Sequence, residues 1–388
     1  MIIKKADNSI ENLNFFYECR NSVSTREMMF NKKFIKFSSH KKWYLKALRS
    51  KLFFLYIAYI GAKRVGVISF RTNNLFYNAD ISIVVHKNER GKNFGFLILK
   101  NGIKKFFNDY KYNINLIARI KKNNKVSRKI FIKNKFNFFT KSKNFLIYKK
   151  DAYNRNSIKK NNKIGLVIQA RQTSTRLPNK VLKEIKNYAL INILLARLVR
   201  SKKINYILVI IPKNKNNSKL FNYLIKKIYT NVFRGSEKNV LERYYDASTK
   251  YNLNSIIRVT ADCPLLHCDL LDNIISYYNK ANVDYVSNVL PQSLPKGFSV
   301  EIFKYSVLKK TYNNSFKDYE KEHVNYHMHE NPSIIKRNYK SKVGIFSKKN
   351  LSVDNKKDFH RVSRIFNHFY PNFHFKVQDI KKIYSKYL

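Results

Sequence analysis

The feature that most constrains the fold is a junction. Lys163-Ile164-Gly165-Leu166-Val167-Ile168-Gln169-Ala170-Arg171 runs on through Ser174-Thr175-Arg176-Leu177-Pro178-Asn179-Lys180. Ile164 to Ile168 is a continuous apolar run with the length and composition of a buried parallel strand. The run breaks into a polar loop holding Arg171, Arg176 and Lys180. Apolar residues resume at Val181 and Leu182, and a helix is expected soon after. A buried strand feeding a basic loop at the carboxyl end of a parallel sheet is where α/β folds bind phosphate. Three cations and the hydroxyls of Ser174 and Thr175, close together in one loop, suit a triphosphate better than a monophosphate.

The chain beyond this junction alternates. A helix is predicted over Leu190 to Leu198, a strand over Tyr206 to Ile211 and a helix from about Ser218 to Ile228. A short strand follows at Asn231-Val232-Phe233, then a helix opened by Glu237, then a strand from Ser255 to Val259. Such alternation implies a doubly wound, mostly parallel sheet. The last strand ends in Thr260-Ala261-Asp262-Cys263-Pro264, which sets Asp262 on the same crevice as Arg171. A carboxylate there can hold Mg²⁺ against a triphosphate; a turn-stabilising aspartate is the alternative. Cys263 has no adjacent base and reads as a core or lining thiol. His323 and His327 would share a helix face, but with no cysteine nearby and only Glu322 close, no metal site is expected there.

Residues 1–150 read as a separate mixed α/β unit. Ile2-Ile3-Lys4-Lys5 is a short edge strand, Ile10 to Cys19 a helix, and Ser39 a cap for a second helix carrying Trp43, Leu45 and Leu48. Leu52 to Tyr59, Arg64 to Arg71 and Phe76 to Val85 read as antiparallel strands. Glu89-Arg90-Gly91-Lys92-Asn93-Phe94-Gly95 then opens a helix reaching about Phe107. A strand, a glycine-containing basic turn and a helix N-terminus form a pyrophosphate cradle in physical terms. A strand from Asn113 to Ile120 and a helix from about Asn124 complete the unit. Residues 151–162 are polar and aperiodic, and read as a linker.

Two resemblances sharpen these readings. The stretch Arg171 to Lys180 is similar to the phosphate loop of the cytidylyltransferases that activate acidic sugars, the spore-coat polysaccharide branch above all. The likeness continues through Val232-Phe233-Arg234-Gly235-Ser236-Glu237, Asp262-Cys263-Pro264-Leu265, Glu322-His323-Val324 and Ser352-Val353-Asp354, and covers roughly residues 163 to 370. It implies a Rossmann-like, nucleotide-diphosphosugar-transferase fold and CTP as co-substrate. It implies Arg171, Arg176, Lys180 and Asp262 as catalytic residues, with Ser174, Thr175 and Glu237 against the nucleotide. It also implies Asp354 as second Mg²⁺ ligand beside Asp262, although Asp354 also suits a helix N-cap. Asp358 reads as a solvated first-turn charge. The family carries glycine at the position of Asn179, Met-Gly at Gln172-Thr173, and commonly aspartate at Ser299 in the loop Leu294 to Glu301.

The first unit resembles the GNAT-type N-acetyltransferases, through its strand order, its Arg90-Gly91-Lys92-x-x-Gly95 turn, Asn124-x-x-Ser127 and Phe136. The resemblance implies acetyl-CoA at this turn, held by Arg90, Gly91, Lys92, Asn93, Gly95 and Asn124. Asn93 stands where the family has glycine and is expected in a left-handed turn. Phe131 stands where a tyrosine often serves as general acid, so cofactor binding is better supported than chemistry.

Net charge is +54. Such a balance would suit nucleic acid or an anionic surface. It is spread along both halves, however, and lysine, asparagine, isoleucine, phenylalanine and tyrosine all have A/T-rich codons. Genome composition therefore explains the excess, and no nucleic-acid partner is expected. No apolar run is long enough for a transmembrane helix. The lack of a signal-peptide core and Cys19, Cys263 and Cys268, which have no framework spacing, point to the cytoplasm. The expectation is thus an acetyltransferase fused to a cytidylyltransferase for surface-polysaccharide sugars. Nonulosonic acids are the expected products, the substrates are small molecules, and a homodimer is compatible. A glycosyltransferase-like protein with a degenerate acetyltransferase half, and a basic nucleic-acid-binding protein, are the competing readings.

Overall fold

The computed structural model describes residues 1–73, 78–110, 114–152, 162–346 and 350–387. The chain divides into two compact units, Met1–Ala152 and Tyr153–Leu388. Most of the expected linker, residues 153–161, lies outside the described residues, as does Phe76.

In the first unit the order is β1 (Ile2–Lys5), α1 (Ile10–Asn21), α2 (Val23–Met28), α3 (Phe37–Arg49), β2 (Phe53–Ile60), β3 (Lys63–Thr72) and β4 (Asn78–Val85). There follow α4 (Phe94–Asp109), β5 (Ile114–Lys121), α5 (Lys125–Lys133), β6 (Asn137–Lys141) and β7 (Phe145–Ala152). Among the described residues these strands make one seven-stranded sheet in the order β1-β2-β3-β4-β5-β7-β6. Alternation along β2 fills both faces. Tyr56 and Ala58 join Ile98, Leu99 and Phe106 of α4, while Leu55 and Ile57 join Leu13 and Phe16 of α1 and Tyr44 of α3. The pairing is antiparallel except between β4 and β5, which are parallel and pair only from Asn78–Asp80 to Asn115–Ile117. β5 meanwhile pairs with β7 along its whole length. The sheet therefore splits beyond Asp80, on the side where β4 runs into its turn. Ser39 lies inside α3, whose cap is Lys36. β6 and β7 lie beyond the helix expected to close the unit, and β7 occupies the first residues of the expected linker.

In the second unit β8 (Ile164–Gln169) is followed by a ribbon of β9 (Glu184–Ile185) and β10 (Tyr188–Ala189). Then come α6 (Leu190–Leu198), β11 (Tyr206–Pro212), α7 (Ser218–Tyr223), β12 (Asn231–Gly235), α8 (Val240–Lys250), β13 (Ser255–Thr260) and α9 (Cys268–Ala281). The chain ends with β14 (Tyr285–Ser287), β15 (Glu301–Lys304), α10 (Tyr305–Asn314), α11 (Asp318–Glu322), α12 (Tyr326–Glu330), β16 (Lys336–Asn338), α13 (Lys356–Phe369) and α14 (Val377–Tyr387). The sheet order is β12-β11-β8-β13-β15-β14-β16. β12, β11, β8 and β13 are mutually parallel, and β15 runs antiparallel to β13. β8 is central: the chain leaves it for β11 on one side and later returns to β13 on the other. That reversal leaves an open crevice above the carboxyl ends of β8 and β13.

Four local expectations are revised. No α-helix follows the basic loop directly, because a one-turn 3₁₀ segment at Lys180–Leu182 and the ribbon intervene before α6. Asn239, whose side chain accepts from the Glu242 N–H, caps α8 in place of Glu237. His323 ends α11 while His327 lies in α12, so the two share no helix face. The cap of α13 is Asn355, in a reciprocal capping box with Asp358; Asp358 is buried and paired with Arg361 at 2.8 Å, rather than solvated. Among the described residues, no helix is long and apolar enough to cross a membrane.

Candidate active sites

The basic loop of the second unit is closed at its neck. Gln172 donates its N–H to Asn217 Oδ1 at 2.7 Å and accepts from the Leu220 N–H at 3.1 Å, and its carbonyl receives the Asn179 N–H at 3.3 Å. Leu177 is buried and pins the loop's middle. Asn179 takes φ 56°, the left-handed turn that suits the glycine usual there. That turn sends Lys180 inward, leaving its side chain 12% exposed, while Arg176 stays 70% exposed.

Lys180 Nζ lies 2.8 Å from Asp262 Oδ2 and 3.1 Å from Asp354 Oδ1. Arg176 Nη2 approaches the same Asp354 oxygen at 3.5 Å. Asp354 Oδ2 accepts from Asn350 Nδ2 at 3.0 Å, and the Asp354 N–H donates to Asp358 Oδ2 at 3.2 Å. Two aspartates far apart in the chain thus converge on one ammonium. Burial works against the charge of Asp262, but Lys180 and the Thr260 hydroxyl outweigh it and hold its carboxyl below the usual range. Burial drives the neighbouring Cys263 thiol well up, the state of a core thiol.

The surrounding cleft encloses about 290 Å³. Arg171, Ser174, Thr175, Arg176, Lys180, Asp262 and Asp354 all line it, and so do Glu322 and His323. Glu237 is not among the lining residues; its carboxylate accepts from the Asn214 amide instead. The donor chemistry suits a divalent cation: two carboxylates converge at a point already held by a positive charge. Asp262 and Asp354 would be its ligands.

Arg258 also lines the cleft, and sequence reasoning missed it. It sits inside β13 and pairs with Glu301 of β15. Burial disfavours ionised Glu301, yet Arg258, His329, Tyr285 and Asn325 together bring its carboxyl down to about 2. The available signal was a single arginine between Ile257 and Val259 within the strand. The loop bearing Ser299 touches the site indirectly. Gly297 takes φ +106°, and a Cβ there would meet the Leu351 carbonyl carbon at 2.4 Å. Ser299 itself is exposed.

In the first unit β4 passes through a 3₁₀ turn at Lys87–Glu89 and Arg90 to Gly91 at φ +82° and Asn93 at φ 58°, which caps α4. The expected cradle would consist of the backbone N–H groups of this turn and of the first turn of α4. Its cationic side chains point elsewhere. Arg90 donates to Ser24 Oγ at 2.5 Å and Thr25 Oγ1 at 2.8 Å, and Lys92 pairs with buried Glu89 at 3.0 Å. Gly95 lets α4 approach α5, since a Cβ there would lie 2.7 Å from Ile130 Cδ1. Asn124 caps α5 by accepting the Ser127 N–H at 3.0 Å. Phe131 is buried, with Phe136 edge-on at 4.9 Å.

Residues 166–368 match the cytidylyltransferase family and residues 18–138 the acetyltransferase (GNAT) family. The chain is 37% identical over 209 residues to an uncharacterized protein of Methanocaldococcus jannaschii, covering 53% of this chain and 84% of that protein. It is 28% identical over 211 residues to the spore coat polysaccharide biosynthesis protein SpsF of Bacillus subtilis, covering 53% and 87%. A solved cytidylyltransferase from Leptospira borgpetersenii superposes with a TM-score of 0.54 at 29% identity, covering 58% of this chain and 95% of that one.

Proposed function

Since the chain belongs to the cytidylyltransferase family and carries a GNAT acetyltransferase domain ahead of that region, making it a transferase of nucleotidyl and acyl groups, we propose that it prepares an acidic sugar for surface-polysaccharide assembly. The second unit would transfer cytidylyl from CTP to a sugar acid, giving a CMP-sugar and pyrophosphate. The first would acetylate an amino sugar from acetyl-CoA. Both co-substrates are cytoplasmic metabolites, and the three cysteines are free thiols, as a reducing compartment requires.

One observation carries the nucleotidyl reading: Lys180 joins Asp262 and Asp354 inside a cleft lined by Arg171, Ser174, Thr175 and Arg176. Arg171 and Arg176 are exposed at the cleft and free to close on phosphate oxygens. The acceptor hydroxyl oxygen bonds to the α-phosphorus, the bond to the bridging oxygen breaks, and pyrophosphate leaves with its charge met by the loop cations. The hydroxyl proton passes to solvent. Mg²⁺, held by Asp262 and Asp354, would neutralise phosphate charge when bound. For the acyl reading the support is the split between β4 and β5 beside the Gly91–Asn93 turn, where a pyrophosphate-bearing cofactor can lie.

Incubation with α-³²P-labelled CTP and a panel of sugar acids tests the first activity. Labelled CMP-sugar together with pyrophosphate is expected. CTP that neither binds nor turns over would sink the reading.

A further inference from the structure

Arg258 differs from the loop cations. It rises from the middle of β13, where it stands opposite Val167 of β8 on one side and Glu301 of β15 on the other. Its guanidinium goes to Glu301, toward the flank of β13 away from the strand that feeds the phosphate loop. Its side chain keeps 21% exposure, and it lines the cleft.

Glu301 is built in from several directions. It is 3% exposed. Tyr285 of β14 donates to Oε1, Asn325 Nδ2 donates to the same oxygen at 2.6 Å, and His329 Nε2 lies 3.5 Å away. The Tyr285 hydroxyl is also 2.7 Å from His329 Nε2. Burying a carboxylate is costly unless its partners are all in place. Here β13, β14 and helix α12 with its N-cap Asn325 supply them, and the group they fix in position is the Arg258 fork. The loop cations Arg171, Arg176 and Lys180 all come from the segment after β8, where the triphosphate is placed in the reading above. A planar guanidinium held rigidly on the opposite flank matches a second, planar anion better than another phosphate.

We propose that Arg258 receives the carboxylate of the acceptor sugar acid, and that Glu301 is the positioning residue that aims it. This rests on the cytidylyl-transfer reading above. Arg258 thereby distinguishes an acid from a neutral sugar of the same shape. Glu301 takes one edge of the guanidinium, and an acid meets the part of it that faces the cleft, where a neutral acceptor brings no charge.

The test uses the full chain, CTP, and N-acetylneuraminic acid with other α-keto sugar acids, each beside its methyl ester. Binding of CTP is measured by calorimetry and turnover by pyrophosphate release. The wild-type protein is expected to turn over at least one free acid and to discriminate against its ester. Arg258→Gln should lower kcat/KM for the acid about 100-fold, the scale of losing one partner of a desolvated charge pair, and should abolish the acid–ester distinction. Its CTP affinity should stay within about twofold, which also certifies the fold. Arg258→Lys, which keeps the charge and loses the fork, should fall between. Glu301→Gln should raise KM for the acid while largely sparing kcat, and Glu301→Asp should partly rescue it. Loss of CTP affinity equal to the loss of acid turnover would place Arg258 on the nucleotide and overturn the proposal. So would an Arg258→Gln protein that still prefers acid to ester, or a wild-type protein that binds CTP and transfers to neutral sugars alone. A wild-type protein that does not bind CTP overturns the nucleotidyl reading, and this inference with it.

Discussion

The Val353 N–H donates to the backbone carbonyl of Asp262 at 2.8 Å. This one main-chain bond ties the turn after β13 to the segment before α13, and so fixes the two aspartate side chains relative to each other. It explains how residues so distant in the chain reach one ammonium without a shared element. Val353 and Leu351 are fully buried on either side of Ser352, so the segment is held by packing as well.

The same segment leans on Gly297. The Leu351 N–H donates to the Lys296 carbonyl at 2.9 Å, and a Cβ on Gly297 would sit 2.6 Å from the Ser352 nitrogen. Gly297→Ala therefore meets both a left-handed backbone and a wall of main chain. A loss of about 2–4 kcal/mol in chemical denaturation is expected, with Asp354 displaced and turnover reduced. Unchanged stability would show that the segment gives way freely.

Lys180 should be the hinge of the pH response. Its presence holds the Asp262 carboxyl below 3.8, so the pair's contribution is complete above that value and is lost as pH falls through the lower folded value. Lys180→Met leaves two carboxylates facing each other with no ammonium between them, and only the exposed Arg176 guanidinium 3.5 Å from Asp354. At pH 7 the second unit should lose about 1–3 kcal/mol, and the gap to wild type should narrow as pH drops toward the carboxylate range. Thermal melts of both proteins across pH 3 to 8 check this. A constant gap would mean the lysine acts by packing alone.

Much of this site could be read before any fold was known, and the limits have physical causes. β8 and its basic loop were legible because five buried apolar residues in a row have few other uses. Asp262 followed, since the strand before it ends where the polar turn begins. Arg258 was hidden because an arginine inside Ser255-Ile-Ile-Arg-Val-Thr carries no periodicity; only the pairing of Arg258 with Glu301 across β13 and β15 gives it meaning. Glu237 and Asn239 lie two residues apart in a polar stretch, and only the bond from the Glu242 N–H picks the cap. Asn124 and Arg90 belong to a recognisable pattern, yet their side chains are engaged with Ser127, Ser24 and Thr25. β7 was missed because its end, Lys149-Lys150-Asp151, is as polar as the residues after it. Its Lys149 is nonetheless buried, against the Asp151 carboxylate at 2.9 Å.

For the first unit, the burial of Phe131 changes what a tyrosine there would do. A hydroxyl added beside Phe136 enters the cluster that also holds Ile98 and Leu99. Phe131→Tyr is expected to cost about 1–3 kcal/mol, as a buried hydroxyl without a partner does, and to leave acetyl transfer no faster. Acetyl-CoA binding should be retained, since the Gly91–Asn93 turn is untouched. A rise in acetylation rate would show that the ring reaches the reacting thioester.

Arg176 should separate binding from folding. Its side chain is 70% exposed and its contact to Asp354 is 3.5 Å long, so it contributes little to stability. Arg176→Ala should leave the melting curve within about 0.5 kcal/mol of wild type. Yet it removes a charge-assisted contact to the nucleotide phosphates, and CTP affinity should fall about tenfold, or some 1.4 kcal/mol. Calorimetry with CTP decides between this and a merely solvated arginine, for which affinity would not change.

The last expectation concerns the aspartate pair. Lys180 lies within hydrogen-bond reach of both Asp262 and Asp354, so their two oxygens can be no further apart than the path through its nitrogen. That span is short enough for both to turn toward one hard cation at its usual ~2.1 Å ligand distance. Two carboxylates prefer a divalent ion to a single ammonium, and a triphosphate entering the cleft offers the ammonium a better site among its own oxygens. Cation and nucleotide should therefore bind cooperatively, with Lys180 released to the phosphates as the ion arrives. Mn²⁺ affinity, followed by electron paramagnetic resonance, should rise when CTP is present. In the Lys180→Met protein, Mn²⁺ without nucleotide should bind more tightly than in wild type, because no ammonium competes. Asp262→Asn and Asp354→Asn should each weaken Mn²⁺ binding and slow CTP turnover by about two orders of magnitude or more while the protein stays folded. EDTA should stop turnover altogether. Mn²⁺ binding that ignores both substitutions would remove the pair from the metal site.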